Sequence, residues 1–312
     1  MTVRSDARGN WDQVSVVIPA LNEARNLPAV LAALPADVHE VIVVDGHSVD
    51  GTLAVAKQLR PEARILVQSR RGKGNALACG FAAATGDIIA MVDADGSADP
   101  HEIPRFVAAL HAGADFAKGS RFAPGGGSSD LTRLRSAGNR ALSAVVNARY
   151  GTHYTDLCYG FNAFWRRHVP VLGLDTTAPA PAGGEMLWGD GFEVETLIHI
   201  RVAAAGLEVT EVPSFEHQRQ FGASNLRVLR DGTRVLRTIL TDGRCPASRP
   251  SPQRARGGHP VARVAAPAAA GPPMTDWVVA AARDEVTLPG GPAAHAQPRP
   301  ADRPGGSGAK GG

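Results

Sequence analysis

Cysteine is scarce in this 312-residue chain. There are three, Cys79, Cys158 and Cys245, widely spaced and odd in number, so neither a disulfide framework nor a zinc pattern follows. No run of about 18 apolar residues is present, which excludes a transmembrane helix read from sequence. The opening MTVRSDARGNWDQ is polar and carries no apolar signal core. The first strand-to-helix turn has no G-x-G-x-x-G, so a dinucleotide-dependent dehydrogenase is not expected. Internal repeats are absent as well. These absences point to a cytoplasmic protein, with attachment at the inner face of a membrane left open.

The net charge of +3 is unevenly spread. Residues 244–312 hold nine of the 33 basic and four of the 30 acidic residues, so the rest of the chain is net −2. The basic balance therefore belongs to the end of the chain and does not indicate a nucleic-acid partner. That end is rich in Pro, Gly and Ala and reads as a disordered tail, as residues 1–12 read as a disordered N-terminus.

Between them, residues 13–243 carry the pattern of a core; hydrophobic residues make up 44% of the whole chain. VSVVIPA (14–20), EVIVVD (40–45), ARILVQS (63–69), DIIAMVD (87–93) and DFAKGS (115–120) read as strands. Helical patterns fill the gaps at 24–34, 51–59, 74–85 and 100–113, with Asp50 as the expected N-cap of the second. Apolar strands alternating with helices imply an α/β fold: a mostly parallel central sheet with helices on both faces. Ligands on such sheets bind beyond the carboxyl ends of the strands, where Asp45 and Asp93 fall. The second half is less regular. Helices are expected at 131–150, 191–206 and 225–240, a strand at 158–165 and one or two strands at 208–217.

The chemistry-bearing residues cluster at the strand ends. VVIPALNEA (16–24) ends the first strand. VVDGHSVDGT (43–52) ends the second, and a carboxylate there can accept the ring N–H of uracil or guanine. RRGKGNAL (70–77) combines three cations and two glycines at a helix start, a combination that suits a diphosphate. VDADGSADP (92–100) places Asp93 and Asp95 two apart after an apolar strand. Such a pair serves as metal ligands, or as the nucleophile and acid of a haloacid-dehalogenase-like phosphohydrolase, with WGDGF (188–192) as its later metal motif. The second reading needs its first motif on the first core strand, whereas three strands precede it here.

Taken in order, VVIPALNE, VVDGHSVDGT, RRGKGNAL, VDADGS and KGSRF resemble glycosyltransferase family 2, nearest the polyprenyl-phosphate (dolichyl-phosphate) mannosyl- and glucosyltransferases. The likeness spans about residues 13–242. It implies a GT-A fold, Rossmann-like, with a nucleotide-binding half at 13–120 and an acceptor-side half at 121–243. It implies an inverting transfer from a UDP- or GDP-sugar to a polyprenyl phosphate, or alternatively to a hydroxyl of a metabolite or glycan. On this resemblance Pro19, Ala20, Asn22, Glu23, Asp45, Lys73 and Asp93 bind the nucleotide-sugar. Asp93 and Asp95 hold Mg²⁺ or Mn²⁺, and His217 is a candidate third ligand. Arg121 is the cation near the acceptor phosphate, joined by Arg133, Arg135, Arg219 and Ser224. Asp190 is the candidate general base for a hydroxyl acceptor. Gly46 stands where the family often has a second aspartate, which leaves the base open, and Asn225 stands in place of a usual lysine.

Overall fold

The structure is a computed structural model and describes residues 12–222 and 228–242. Ser224, Asn225, Cys245 and the stretch 244–312 lie outside the described residues, as do residues 1–11.

Seven strands build the central sheet: β1 (Val14–Ala20), β2 (Glu40–Asp45), β3 (Arg64–Val67), β4 (Ile88–Met91), β5 (Phe116–Ser120), β7 (Asn162–Trp165) and β8 (Val209–Pro213). A separate two-stranded ladder pairs β6 (Gly127–Ser128) with β9 (Phe215–Glu216). The spatial order of the large sheet is β3-β2-β1-β4-β7-β5-β8. All its neighbours run parallel except β7, which is antiparallel to both β4 and β5. The region 208–217 thus splits at Ser214 into strands of two different sheets.

The apolar runs are explained by two filled faces. Along β1, Val16 and Ile18 point into one core with Leu27, Leu31 and Phe106, while Val17 points into another with Leu77, Phe81, Phe164 and Ile198. Val16, Val17 and Ile18 are all fully buried, so no polar alternation is visible across them in the sequence. The first core lies under α1 (Leu27–Ala32), α2 (Thr52–Leu59) and α4 (Ile103–His111). The second lies under α3 (Lys73–Ala83) and α7 (Val194–Ala204). A third, around Val146, Tyr150, Leu157, Ile200 and Ile239, joins α7 to α5 (Arg133–Tyr150) and α8 (Val228–Thr241). A short α6 (Val169–Leu172) precedes α7.

Of the helix starts that differ from the sequence expectation, two bear on the site. The first helix begins at Leu27, not at residue 24, because Pro28 favours the first turn and residues 22–26 are held elsewhere. Asn22 N–H donates to Ser48 Oγ, Glu23 N–H to Thr52 Oγ1 and Ala24 N–H to Asp50 Oδ2. Asp50 is not the N-cap of α2; Gly51 is, at φ +92°. From one residue earlier, Asp50 accepts from Thr52 N–H and ties that turn to the 22–24 loop. The consequence is functional: the loops after β1 and β2 form one hydrogen-bonded rim at the carboxyl edge of the sheet.

Candidate active site

Four carboxylates and two cations meet at that edge. Asp93 follows β4, and its Oδ1 lies 2.6 Å from Lys73 Nζ, at the first residue of α3. Lys73 Nζ is also 2.6 Å from Glu195 Oε1, in the first turn of α7. Gly160 backs this trio: a Cβ there would lie 3.0 Å from Asp93 Oδ2 and from Lys73 Nζ, so a larger residue would make both side-chain ends give way. On the other side Arg219 donates to Asp95 Oδ2 at 2.7 Å and to Glu23 Oε1 at 3.1 Å. Asp95 Oδ1 accepts from Ser97 N–H at 2.9 Å.

The electrostatics follow from these contacts. Burial alone pushes the Lys73 ammonium down, but Asp93 and Glu195 outweigh it and hold its pKa above the ordinary value. Burial, helped by the charge of Asp93, raises Glu195 above its ordinary value against the pull of Lys73. Burial also raises Glu23, against the Asn26 hydrogen bond and Arg219. For Asp95 burial is outweighed by Ser97 and then by Arg219 and Lys73, and its carboxyl sits below the usual range.

Asp45 is 2% exposed. Its Oδ2 accepts from His47 N–H at 2.9 Å and Ser48 N–H at 3.0 Å, which folds the 46–48 loop. Its Oδ1 is buried and has no partner among the described residues. Loop folding is thus the role on view, and it leaves Oδ1 uncommitted among the described residues. Asn22, at φ +56°, links this loop to the first by accepting from Val49 N–H. Pro19 and Ala20 end β1 beside them.

Several expected roles change. Asp190 is 3% exposed and faces Arg70, not an acceptor: Arg70 Nε and Nη2 each donate to it at 2.8 Å, and Leu187 N–H adds a third bond. Both its oxygens are spent, so a base role does not fit. The pair instead anchors the 187–191 turn against the Gly72 and Gly74 loop, where any Cβ would strike Asp190 O or Gly189 O. Arg121 is likewise spent, on Asp156 through Nε and Nη2 and on Glu216 through Nη1. It braces β5 against β9 and does not present a bare cation. Arg219 was expected near the acceptor and lies on the D-x-D instead. Arg135 pairs with Asp130 at 3.0 Å. His217 donates its backbone N–H to Ser97 O at 2.7 Å, while its ring lies against Phe215. Among the described residues no three His, Cys, Asp or Glu groups converge as a metal cage, so His217 does not complete one with Asp93 and Asp95.

The D-x-D nevertheless fits a hard divalent ion. Mg²⁺-type sites commonly use one or two carboxylates and take the remaining ligands from substrate phosphates. Asp95 Oδ2 already carries a cation, the Arg219 guanidinium.

Two cavities open beside this edge along α5. One of about 390 Å³ is lined by Arg121, Phe122, Ser128, Arg133, Ser136 and Arg140 among others. The next, about 370 Å³, shares Phe122 and Arg140 and adds Ser143, Asn147 and Thr155. Glu195 and Arg140 had no place in the sequence reading, and Arg70 entered it only as one of the three cations of RRGKGNAL. Glu195 leaves one trace there, as a carboxylate inside the apolar stretch FEVETLIHI.

With this geometry in view, the family model for glycosyl transferase family 2 matches residues 15–170. The chain belongs to glycosyltransferase family 2. A polyprenol monophosphomannose synthase of Mycolicibacterium smegmatis is 31% identical over 224 residues, covering 68% of this chain and 80% of that one. An undecaprenyl-phosphate mannosyltransferase of Micrococcus luteus is 30% identical over 223 residues, covering 69% and 87%. An uncharacterised glycosyltransferase of Mycobacterium tuberculosis is 48% identical over 110 residues; the match covers 35% of this chain and only 49% of that relative. Within glycosyltransferase family 2 the chain therefore sits near the polyprenyl-phosphate enzymes. Among solved structures, glucosyl-3-phosphoglycerate synthase of Mycobacterium tuberculosis with Mn²⁺ and UDP-glucose is 26% identical, with a TM-score of 0.56 over 75% of this chain and 79% of that one. The same synthase has been solved with Mn²⁺, UDP-glucose and phosphoglyceric acid, at 25% identity and a TM-score of 0.56. The fold is the GT-A fold, with the mostly parallel sheet expected from sequence.

Proposed function

We propose that the chain moves a sugar from a UDP- or GDP-sugar to a phosphate-bearing acceptor, a polyprenyl phosphate first, with inversion at the anomeric carbon. The observation that carries the reading is the charge set around the D-x-D. Glu23, Asp93, Asp95 and Glu195 against Lys73 and Arg219 leave a net charge of −2 when all are ionised. That balance matches a divalent cation at the carboxyl edge of the sheet.

Asp95, with Asp93 beside it, would hold Mg²⁺ or Mn²⁺ together with diphosphate oxygens. When bound, the ion supplies positive charge against the departing diphosphate. The protein's own part is orientation. The Asn22 and Asp45 loops form the seat for the nucleoside, and Asp45 Oδ1 is the acceptor offered to a base N–H. Lys73, held by Glu195, fixes Asp93 toward the sugar side. A phosphate acceptor is an anion at neutral pH and attacks without a base. This agrees with Asp190 being committed to Arg70. Arg133 and Arg140 in the α5 cavity are the cations that would receive the acceptor phosphate. Leu134, 74% exposed between Arg133 and Arg135, suits contact with a lipid surface at that point. Among the described residues no helix is long and apolar enough to cross a membrane, so such contact would be peripheral.

A second acceptor class has support in the polar lining of the same cavity, with Ser128 and Ser136 beside the arginines. A small phosphorylated metabolite with a hydroxyl nucleophile would suit it. The phosphohydrolase reading leaves the β1 and β2 loops idle and does not agree with the family. A panel of UDP- and GDP-sugars with Mn²⁺, read as nucleoside diphosphate release with and without polyprenyl phosphate, tests the proposal. Release stimulated by the lipid supports it. Stimulation only by a soluble phosphorylated acceptor selects the second class. Phosphate release from phosphomonoesters without sugar transfer overturns both.

A further inference from the structure

The two cations of the site are not held alike. Lys73 sits between two acids at 2.6 Å each, on the first turn of a helix, with Gly160 closing the space behind it. Arg219 lies on a strap that crosses from the D-x-D loop to α1. His217 N–H bonds Ser97 O at one end. At the other, Phe221 N–H donates to Asn26 Oδ1 at 3.1 Å and Asn26 Nδ2 to Phe221 O at 3.0 Å. Arg25 caps that end, its guanidinium 4.0 Å from the centre of the Phe221 ring. Between these anchors the Arg219 side chain reaches back, 19% exposed, to Asp95 and Glu23.

Asp95 has one oxygen committed to its own loop through Ser97 N–H. The other, Oδ2, is the oxygen left for a ligand, and Arg219 holds it at 2.7 Å. A divalent ion and a guanidinium cannot share one carboxylate oxygen without strong like-charge repulsion at such short range. Arg219 keeps Glu23 as a partner when it leaves Asp95, so it need not abandon the site.

We propose that Arg219 is the exchangeable counter-cation of this centre: it competes with the divalent ion for Asp95 Oδ2, and the ion's entry turns it toward the anionic ligand. The proposal rests on the sugar-transfer reading only for the identity of that anion. It makes metal and phosphate binding mutually reinforcing, because each favours the arrangement with Arg219 off Asp95, and such coupling is reciprocal.

The test is metal affinity, measured without turnover. Mn²⁺ is titrated into the full chain and into Arg219→Ala, by calorimetry and by the loss of free Mn²⁺ signal in electron paramagnetic resonance. Removing one charge-assisted competitor should tighten Mn²⁺ binding about 10-fold or more in the variant. The gain in Mn²⁺ affinity caused by UDP or GDP should shrink in the same variant. Arg219→Lys keeps a cation there and should return the weaker binding. If Arg219→Ala is poorly folded, the Arg219 Nε–H resonance of the wild-type chain decides instead. It should shift on titration with Mg²⁺, which is diamagnetic. Equal or weaker Mn²⁺ affinity in Arg219→Ala, or an Arg219 resonance unmoved by Mg²⁺, overturns the exchange. If nucleoside diphosphate still binds in that case, the sugar-transfer reading survives it. Absence of both Mn²⁺ and nucleotide binding in the wild type overturns both.

Discussion

Glu195 holds the ammonium of Lys73 at 2.6 Å, and through it orients Asp93. This makes Glu195 a positioning residue for the first carboxylate of the D-x-D. Glu195→Gln should lower donor kcat/KM by about 10-fold, the weight of one charge-assisted contact. The acceptor KM should change little. Initial rates with each substrate varied in turn check the split; a change confined to acceptor KM would place Glu195 elsewhere in the reaction.

Asp190 and Arg70 form a buried ion pair with two bonds of 2.8 Å. Breaking such a pair costs about 3–5 kcal/mol, because the partner charge is left buried. Asp190→Asn should therefore lower Tm by several degrees, while kcat measured well below that Tm stays near wild type. A normal Tm with a collapsed kcat would restore Asp190 as a base.

Glu40 ties the start of β2 to the turn before β4. Burial would raise its pKa, but hydrogen bonds from Thr85 N–H, Ser15 Oγ, Thr85 Oγ1 and Arg64 outweigh it and bring the pKa from 4.5 to about 2. A depressed carboxylate stabilises the fold above its unfolded pKa, and that contribution is lost as pH falls through the folded value. The Tm deficit of Glu40→Gln should thus be full above pH 4.5 and narrow as the pH drops toward 2. Thermal melts across that window check it; a deficit independent of pH would contradict the assignment.

Arg133 and Arg140 line the same cavity and are both exposed. Replacing both with Gln should raise the acceptor KM by about 10-fold or more, as expected for lost contacts to a phosphate. Donor Kd from calorimetry should be unchanged. A donor effect without an acceptor effect would remove the cavity from the acceptor path.

The strands and the D-x-D were legible because their signals are local. Val16 to Ile18 and Ile42 to Val44 are apolar on both faces, since helices cover both. Asp93 and Asp95 sit two residues apart at a strand end. The first helix was read too long because what holds residues 22–24 out of it, Ser48, Asp50 and Thr52, is far along the chain. The partners of the site residues were hidden for the same reason. Arg219 lies 124 residues from Asp95, and Arg70 lies 120 from Asp190. Each of these arginines reads as a cation for a ligand until the sheet brings an acid beside it. Composition cannot show which cations a protein spends on itself.

The central claim is sugar transfer to a phosphate with a divalent ion on Asp95. The most direct measurement follows labelled sugar from UDP- and GDP-donors into organic-extractable product with polyprenyl phosphate and Mn²⁺, for the wild type and Asp95→Asn. The wild type should form a mild-acid-labile, lipid-linked product that vanishes in excess EDTA. Asp95→Asn should make it at least about 10²-fold more slowly, the scale of losing one strong charge-stabilising contact. Undiminished product in EDTA, or an Asp95→Asn rate equal to wild type, would contradict it.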